Sequence, residues 1–275
     1  MEIEISGTGR DHVLRNRQRI ARISDLAETA RCTVFTPDDL ALVKGGPLER
    51  REYLDDVVVS ARPRIAAARL AAERALRQRN VLLRQSAGRA SPDVLATLDV
   101  WDAQLSQAGS ELTAARVALV AELGPPASAA YRRLTGSGAG LDLLYRCSYD
   151  GDLATALAEG RSDDLRRGVT GVGPHRDDLD ITSGGLDART RLSQGRQRCV
   201  TLALRLAAHE VVGSHAGSPP VLLLDDAFSE LDDTTAQALL RELPPGQAIL
   251  TTAGPLPRGA IPEVVVTVHG GMIAP

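Results

Sequence analysis

Hydrophobic and polar positions follow two periods along this chain, one typical of strands and one typical of helices. Four consecutive apolar residues, Val221 to Leu224, are followed directly by Asp225 and Asp226. Such a run predicts a strand buried on both faces of a sheet, with its two carboxylates at the carboxyl edge. Other stretches of alternating or mainly apolar residues predict further strands at Glu2–Ser6, Arg15–Arg22, Cys32–Phe35, Leu141–Tyr149, Asp178–Ile181, Ala248–Thr252 and Glu263–Val268.

Apolar residues at spacings of three, four or seven predict helices between these strands. An arginine-rich helix is predicted over Pro63–Gln85, and a second helix from the cap residue Ser91 to Leu123, because Gly124-Pro125-Pro126 should end it. This antiparallel pair predicts a helical lobe inserted in an α/β domain. Other helices are expected at Ile23–Ala30, Leu48–Val59, Leu153–Glu159 with Asp163–Arg167, Val200–Val212 and Thr234–Glu242, besides a short one starting at Thr36.

Composition narrows the class of protein. The 275 residues are 43% hydrophobic and 24% charged, as in an ordinary globular protein with a sizeable core. Only 3% are aromatic, so that core must be built from Leu, Val and Ala. Cys32, Cys147 and Cys199 are too widely spaced for a disulfide framework or a zinc site. No basic leader or membrane-length apolar run occurs, so a cytoplasmic protein without a membrane partner is expected.

Charge is unevenly distributed, although the formal net charge is only −3. Residues 1–90 carry 17 Lys and Arg against 12 Asp and Glu, and the remainder carry 15 against 23. A basic half can contact nucleic-acid phosphates even when the whole chain is acidic. The alternative is a solvated helix face. The arginines chosen as candidates for DNA contacts are Arg62, Arg64, Arg69, Arg77 and Arg84.

Three motifs in fixed order resemble those of a known class of protein. Leu192–Gln197 resembles the signature motif of ABC-type ATPases, Leu222–Asp226 their Walker B strand, and Ser229–Asp232 their D-loop. The resemblance extends to two further segments, Phe35–Asp56 and Gly171–Ile181. Taken together, these stretches make the chain most similar to the RecF family over nearly its whole length. The resemblance implies an α/β fold, in which an incomplete ATPase head with a mixed sheet flanked by helices carries a helical second lobe. Residues 1–36 would be a remnant of the head, 37–135 the helical lobe, and 136–275 the head with its three motifs.

The resemblance also implies roles for individual residues. Asp225 would hold Mg²⁺, and Asp226 would stand in the place of the usual catalytic glutamate. ATP would be contacted in trans, on a partner's P-loop, by Ser193, Gln194, Gly195, Gln197, Ser229 and Asp232. Thr251 or Thr252 falls where transporters of the superfamily have a switch histidine. From the residues alone, a helix cap at Ser193 and a strand-end turn at Asp225 remain the alternatives.

The sequence contains no P-loop of the form G-x-x-x-x-G-K-[ST]. Its single lysine, Lys44, is followed by Gly45-Gly46 where a Ser or Thr is required. In the family this motif lies near the amino terminus, so the chain resembles the family without its first segment. Loss of the central strands of that segment is expected to leave Val221–Leu224 with an uncovered neighbour position.

The function implied by the resemblance is ATP-modulated binding of DNA, both double-stranded and at single-strand junctions. It would serve replication, recombinational repair and the SOS response, with a possible ATP-dependent dimer and recombination mediator proteins as partners. Three hypotheses about this function stay open. The chain is a repair protein whose start lies upstream of Met1, a shortened subunit that binds DNA or completes a partner's site, or a remnant without a biochemical role. An unrelated hydrolase using Asp225 and His175 is disfavoured, because no nucleophile elbow or metal ligands accompany them.

Overall fold

The computed structural model of the protein describes residues 2–4, 12–15, 18–19, 31–229, 231–269 and 272–273. The described strands form small sheets of both parallel and antiparallel pairing, and helices pack around them, so the predicted α/β class is confirmed. No helix in these ranges is long and apolar enough to cross a membrane.

The described strands fall into four groups. Strands β1 (Glu2–Glu4), β2 (His12–Arg15) and β3 (Gln18–Arg19) pair antiparallel. The central sheet is parallel, in the order β4 (Cys32–Phe35), β8 (Val221–Asp225), β9 (Ala248–Thr251). A third, antiparallel sheet contains β5 (Leu141–Arg146), β6 (Asp178–Ser183) and β7 (Leu186–Asp187), and β10 (Val268–His269) pairs with β11 (Met272–Ile273).

The described helices fall into two groups along the chain. A 3-10 helix (Pro37–Leu40) leads into α1 (Ala41–Lys44), followed by α2 (Pro47–Ala61), α3 (Ile65–Ser86), α4 (Pro92–Thr135) and α5 (Leu153–Arg167). Helices α6 (Ala188–Arg191), α7 (Gln194–Ala216) and α8 (Asp233–Glu242) follow. The predicted helices around 48–59, 63–85, 200–212 and 234–242 are confirmed, and the two segments predicted within 153–167 are one helix. The helix predicted at Ile23–Ala30 lies outside the described residues.

Strand β8 lies in the middle of the parallel sheet. Its Leu223 is in register with Val34 of β4 on one side and with Ile249 of β9 on the other. The expected uncovered neighbour position beside this strand is therefore wrong, and within the described residues the open edges belong to β4 and β9. Leu222 and Leu224 are buried while Leu223 is half-buried, so one face of the strand is covered more completely than the other.

Helix α4 continues through Pro125 and Pro126, where the sequence predicts its end. Proline lacks the N–H that bonds the carbonyl four residues back, so continuing the helix forfeits two hydrogen bonds. Packing outweighs that cost, because Ala127, Tyr131 and Leu134 beyond the prolines are buried in the main hydrophobic core.

One strand prediction fails, and another extends three residues too far. Val264, Val265 and Val266 are exposed, and ladder pairing begins only at Val268, so the predicted strand Glu263–Val268 is wrong. β-Branched residues favour strands, but a strand also needs a neighbour to pair with. Likewise β5 ends at Arg146, before the predicted Tyr149, because its partner β6 begins opposite it at Asp178.

The main core joins the parts of the molecule. It contains Leu54 of α2, Leu119 of α4, Leu202 of α7 and Leu224 of β8, and the expected reliance on Leu, Val and Ala is confirmed. Two smaller clusters lie beneath α3, one around Leu105 and Leu157 and one around Leu83, Leu98 and Leu165. Since the main core crosses residue 135, the division into 1–36, 37–135 and 136–275 stays a prediction.

Candidate functional site

The amino end of α7 presents the predicted signature residues to solvent. Ser193 is the N-cap, and its Oγ accepts a hydrogen bond from the Arg196 N–H at 3.4 Å. Gln194 and Gly195 are exposed, and no atom lies within 4 Å of the position that a Cβ on Gly195 would occupy. The free N–H groups and the dipole of this 23-residue helix favour an anion, so its amino end can accept a phosphate.

Gln197 has a different environment from its exposed neighbours. It is buried, and its Nε2 donates to the carbonyls of Ala188 at 3.1 Å and Arg189 at 2.8 Å. These bonds fix α6 against the first turn of α7. A direct contact between Gln197 and a nucleotide stays a prediction, and it would require the side chain to give up this positioning role.

Asp225 and Asp226 lie where β8 ends, and Thr251 at the end of β9 contacts both. The Thr251 Oγ1 donates to Asp225 Oδ1, and the Asp226 N–H donates to the carbonyl and Oγ1 of Thr251 at 3.2 and 3.3 Å. Asp226 has a left-handed backbone with φ of 48°, which few non-glycine residues adopt. Of the two threonines considered from the sequence, Thr251 is the one beside the acids, while Thr252 bonds Gly254.

The loop after β8 is held by its own polar residues. Ser229 donates to the Asp226 carbonyl from its N–H at 3.3 Å and from its Oγ at 3.0 Å. Asp232 is the N-cap of α8 and accepts a hydrogen bond from the Thr235 N–H at 2.8 Å. That backbone bond is the main cause that lowers the pKa of Asp232. Both side chains are exposed, so the loop is ordered by local bonds and still faces solvent.

Helix α7 packs closely against this loop. The space between Thr201 and Leu202 on the helix and Asp226 and Ser229 on the loop measures about 30 Å³, roughly the volume of one water molecule. A nucleotide cannot enter there. The exposed end of β8 and the exposed amino end of α7 are the parts of this region that face solvent.

The chemistry of this edge fits part of a Mg–ATP site. Asp225 offers the oxygen ligand that Mg²⁺ prefers, and the amino end of α7 offers donors to phosphate. No cluster of three or more His, Cys, Asp or Glu able to hold a metal occurs in the described ranges. Asp225 and the amino end of α7 therefore fit Mg–ATP as one contribution to a larger site.

Two of the five predicted DNA-binding arginines have acidic partners. Arg62 pairs with Glu122 of α4. Arg69 pairs with Glu73 at 3.1 Å and with Asp56 of α2 at 3.2 Å. A phosphate would have to compete with these carboxylates, so both arginines are weaker candidates than their position in the sequence indicates.

The other three predicted arginines, Arg64, Arg77 and Arg84, are exposed, and no salt bridge involves them in the part of the chain that the structure describes. Arg77 and Arg84 are seven residues apart on α3, which places them on one face of the helix. Arg74 is exposed one turn before Arg77 and likewise has no salt bridge among the described residues. We define the basic face as Arg74, Arg77 and Arg84.

Arg79 belongs to the same run in the sequence but is a core residue. It is 0% exposed, and its guanidinium bonds Asp102 at 2.5 Å, Asp164 at 2.6 Å and the Thr170 hydroxyl at 2.9 Å. The three partners lie on α4, on α5 and in the loop after α5. Arg79 therefore joins the helices and contributes nothing to the basic face.

The segment Gly171–Ile181, which contributes to the family resemblance, is a buried junction. Asp177 is fully buried and accepts bonds from the Tyr145 hydroxyl at 2.7 Å and the Ser148 N–H at 2.8 Å. Arg116 of α4 donates to the Pro174 carbonyl at 2.7 Å and forms a two-point pair with Asp55 of α2. The segment thus fastens the helical lobe to the β5–β6 sheet.

His175 in this segment is a structural residue. Its Nε2 lies 3.1 Å from the Thr170 carbonyl, and burial, the largest cause, lowers its pKa to about 4. No hydrogen bond or ion pair connects it to Asp225 within the described residues, so a paired hydrolase site using the two has no support here.

An acid-ended central strand, a capped helix with an exposed amino end and an attached helical hairpin agree with the α/β head that the sequence motifs predict. No family model matches the chain. It is 40% identical over 268 residues to the DNA replication and repair protein RecF of Streptomyces avermitilis, an alignment that covers 92% of this chain and 71% of that protein.

Two solved structures of the recombination mediator protein RecF in the RecFOR pathway share the fold. The RecF–ATPrS structure has a TM-score of 0.85 at 25% identity and covers 98% of this chain and 74% of that one. The RecF–ATP structure has a TM-score of 0.83 at 26% identity, with 97% and 73% covered. The chain therefore belongs to the RecF family of DNA replication and repair proteins.

Proposed function

We propose that this chain is a DNA-binding subunit of replication and repair whose signature helix completes an ATP site on a second, P-loop-bearing chain. One observation carries the proposal: the amino end of α7 is capped, open and exposed. Its free N–H groups can therefore donate to a phosphate that a second chain holds.

In such a site each residue of the edge has a defined role. Ser193, Gln194 and Gly195 would donate to a phosphate on the partner, and Ser229 and Asp232 would shape the loop facing it. Apart from these contacts in trans, Asp225 at the end of β8 would hold Mg²⁺, oriented by Thr251. Asp226 would accept a proton from an attacking water if hydrolysis occurs.

Support for ATP and for mediator partners comes from the relatives. Two of the matching RecF structures are complexes with ATP or ATPrS, and both belong to the RecFOR recombination pathway. Duplex DNA and single-strand junctions are the proposed ligands of the basic face, recombination and the SOS response the proposed context, and the cytoplasm the proposed location.

The decisive experiment mixes the purified chain with the full-length RecF of Streptomyces avermitilis and measures their association with and without Mg–ATP. We expect ATP to tighten association at least about tenfold, and Ser193→Arg to abolish the effect because a bulky cation blocks the amino end of α7. Ser214→Arg is the matched control, since Ser214 is exposed near the opposite end of the same helix. Association that ignores ATP, or equal behaviour of the two variants, would contradict the proposal.

A second candidate function is DNA binding that needs no nucleotide. The arginines of the basic face favour it, since they are exposed and form no salt bridge with any residue that the structure describes. In that case the chain alone would bind duplex DNA equally well with and without Mg–ATP, and mixing with the full-length relative would not alter the affinity.

A further inference from the structure

A run of exposed valines near the carboxyl end of the chain has no part in the proposed function. We define the valine segment as residues 263–269, all of which are exposed. Its Val264, Val265 and Val266 are 76%, 64% and 58% exposed, so neither face of the run is covered by the described residues. Single apolar residues are common on protein surfaces, whereas a contiguous exposed run indicates a contact with another protein.

The backbone of the valine segment is open as well. No backbone hydrogen bond joins residues 261–266 to any residue that the structure describes. Positions 264 to 268 are all β-branched, which favours extended backbone, and no Lys, Arg or Pro between Glu263 and Val268 protects the edge. An unpaired edge of this composition is a template for a second strand.

The hairpin of β10 and β11 determines which backbone groups face outward. Two residues connect His269 to Met272, and the pair that closes so short a turn exchanges both of its backbone hydrogen bonds. Because the direction of these bonds alternates along an antiparallel strand, the N–H and C=O of Val268 point away from β11. Extending β10 backwards points the same groups of Val266 and Val264 outward too.

These outward valines match a second copy of the segment in one register. Antiparallel pairing about a two-fold axis at Val266 places Val264 opposite Val268 of the second copy. Val266 then faces its own equivalent, and each outward valine exchanges two hydrogen bonds with a valine. The interface is therefore self-complementary, as contact between two identical surfaces requires.

The polar residues of the segment favour the same register. An axis at Val266 places Glu263 opposite His269 of the second copy, where the imidazole can donate to the carboxylate. An axis at Val265 would instead place Val268 opposite Pro262, which has no N–H to donate. The axis at Val266 thus satisfies both the backbone groups and the charged side chain.

We propose that the valine segment is a homodimer interface, at which two copies of the chain pair antiparallel about Val266 and join their hairpins into one sheet. The strand predicted over Glu263–Val268 then forms in the dimer, because the second copy supplies the ladder partner that the single chain lacks. Cross-strand contacts between valines add to the backbone bonds. No nucleotide takes part, so the proposal is independent of the shared ATP site.

Analytical ultracentrifugation of the intact chain without nucleotide tests the interface directly. We expect a monomer–dimer equilibrium with a dissociation constant roughly in the micromolar range, because the contact is small. Val266→Lys places two like charges on the axis and should weaken dimerisation at least about tenfold. Val100→Lys is the matched control and should leave dimerisation unchanged, since Val100 is 53% exposed on α4, outside the segment.

An exchange of charges tests the register without removing a valine. Glu263→Lys would face His269 of the second copy, and His269→Glu would face Glu263, so each variant alone should dimerise about fivefold more weakly. An equimolar mixture of the two variants should dimerise again, because every such pair across the interface then joins a basic residue to an acidic one. This rescue separates a defined register from non-specific apolar association.

Four results would overturn the proposal. A chain that stays monomeric at about 200 μM would leave the segment to a strand of a different protein. A mass that grows beyond the dimer would indicate open association, and equal dimerisation by a folded Val266→Lys variant would place the interface elsewhere. A mixture of the charge variants no more dimeric than either alone would exclude the register. Circular dichroism and thermal unfolding establish that the variants are folded.

Discussion

The arginines of the helices and the acids at the end of β8 are both clusters of charge, but they differ in burial and in hydrogen bonding. Arg79 and Arg116 are almost fully buried, and each is bound by carboxylates and neutral acceptors. Asp225 and Ser193 are exposed, and among the described residues the side chain of each forms a single hydrogen bond. A buried charge must be paired because removing it from water is costly, whereas a group that binds a ligand must keep capacity free.

The basic face lies between these two cases. Arg77 is exposed and has no salt bridge in the described ranges, although it is only two residues from the fully buried Arg79. Position on the helix, and not residue type, therefore separates a structural arginine from one available to DNA. The following changes test this comparison, from the largest expected effect to the smallest.

Arg79→Ala should cause the largest loss of stability. The change leaves Asp102 and Asp164 buried without their common cation, and breaking a buried pair in this way costs about 3–5 kcal/mol. The free energy of unfolding, measured by urea titration, should fall by that amount. Arg77→Ala is the matched control and should change it by no more than about 0.5 kcal/mol. Similar losses in the two variants would show that burial does not distinguish them.

Acid should destabilise the junction around His175. The pKa of this histidine in the folded chain is lowered to about 4 from an ordinary value of 6.5, so the unfolded chain binds the proton first as pH falls. Its contribution to stability is complete above pH 6.5 and should fall by about 2 kcal/mol by about pH 5.

His175→Gln keeps a donor for the Thr170 carbonyl and removes the titration. Urea titrations between about pH 7 and about pH 5 should therefore give a flatter pH dependence for this variant than for the unmodified chain. The residual slope is expected to have the same sign, because burial also lowers the pKa of His209. An unchanged slope in His175→Gln would exclude His175 as its source.

Reversing the charge of the basic face should weaken DNA binding. The double change Arg77→Glu and Arg84→Glu is expected to reduce affinity for duplex DNA about tenfold or more, and to lower the salt dependence by about one unit per lost phosphate contact. Fluorescence anisotropy over a range of salt concentrations measures both quantities. Arg62→Ala should have little effect, because Arg62 already pairs with Glu122. A salt dependence unchanged by the double variant would place the DNA elsewhere.

Asp232→Ala should have the smallest effect among the four predicted changes in stability or DNA affinity. It removes the cap that accepts the Thr235 N–H, and losing such a cap costs about 1 kcal/mol of stability. Asp232→Asn retains an acceptor and should be near neutral in the same unfolding measurement. If ATP-dependent association with the full-length relative is lost in both variants while stability is kept, the carboxylate itself contributes to the shared site.

Local signals in the sequence were sufficient for much of the candidate site. Asp232 and Ser91 each cap the helix that the sequence predicts, and Ser193 is a cap as in the alternative interpretation, because a cap needs only a side-chain oxygen and the N–H groups that follow it. The strand at Val221–Asp225 and its two terminal acids also follow from an apolar run that ends in carboxylates. These features depend on neighbours within a few residues.

Predictions that depended on distant partners were the ones that failed. Pro125 and Pro126 do not end α4, because residues beyond them are buried against other elements of the core. Val264–Val266 form no strand, because no ladder partner is available to them among the described residues. In the same way, no local pattern marks Thr251 as the threonine beside Asp225, since the contact joins the ends of two parallel strands.

The sequence by itself determined the family motifs, the order of most helices and strands, the helix caps and the absence of a P-loop motif within the chain. Each of these is encoded in residues that are adjacent or in one short period. Only the tertiary structure decided which arginines are buried, that β8 has a neighbour on both sides, and that Val264–Val266 are exposed. Burial and pairing are properties of surfaces brought together by folding, so residues far apart in the chain set them jointly.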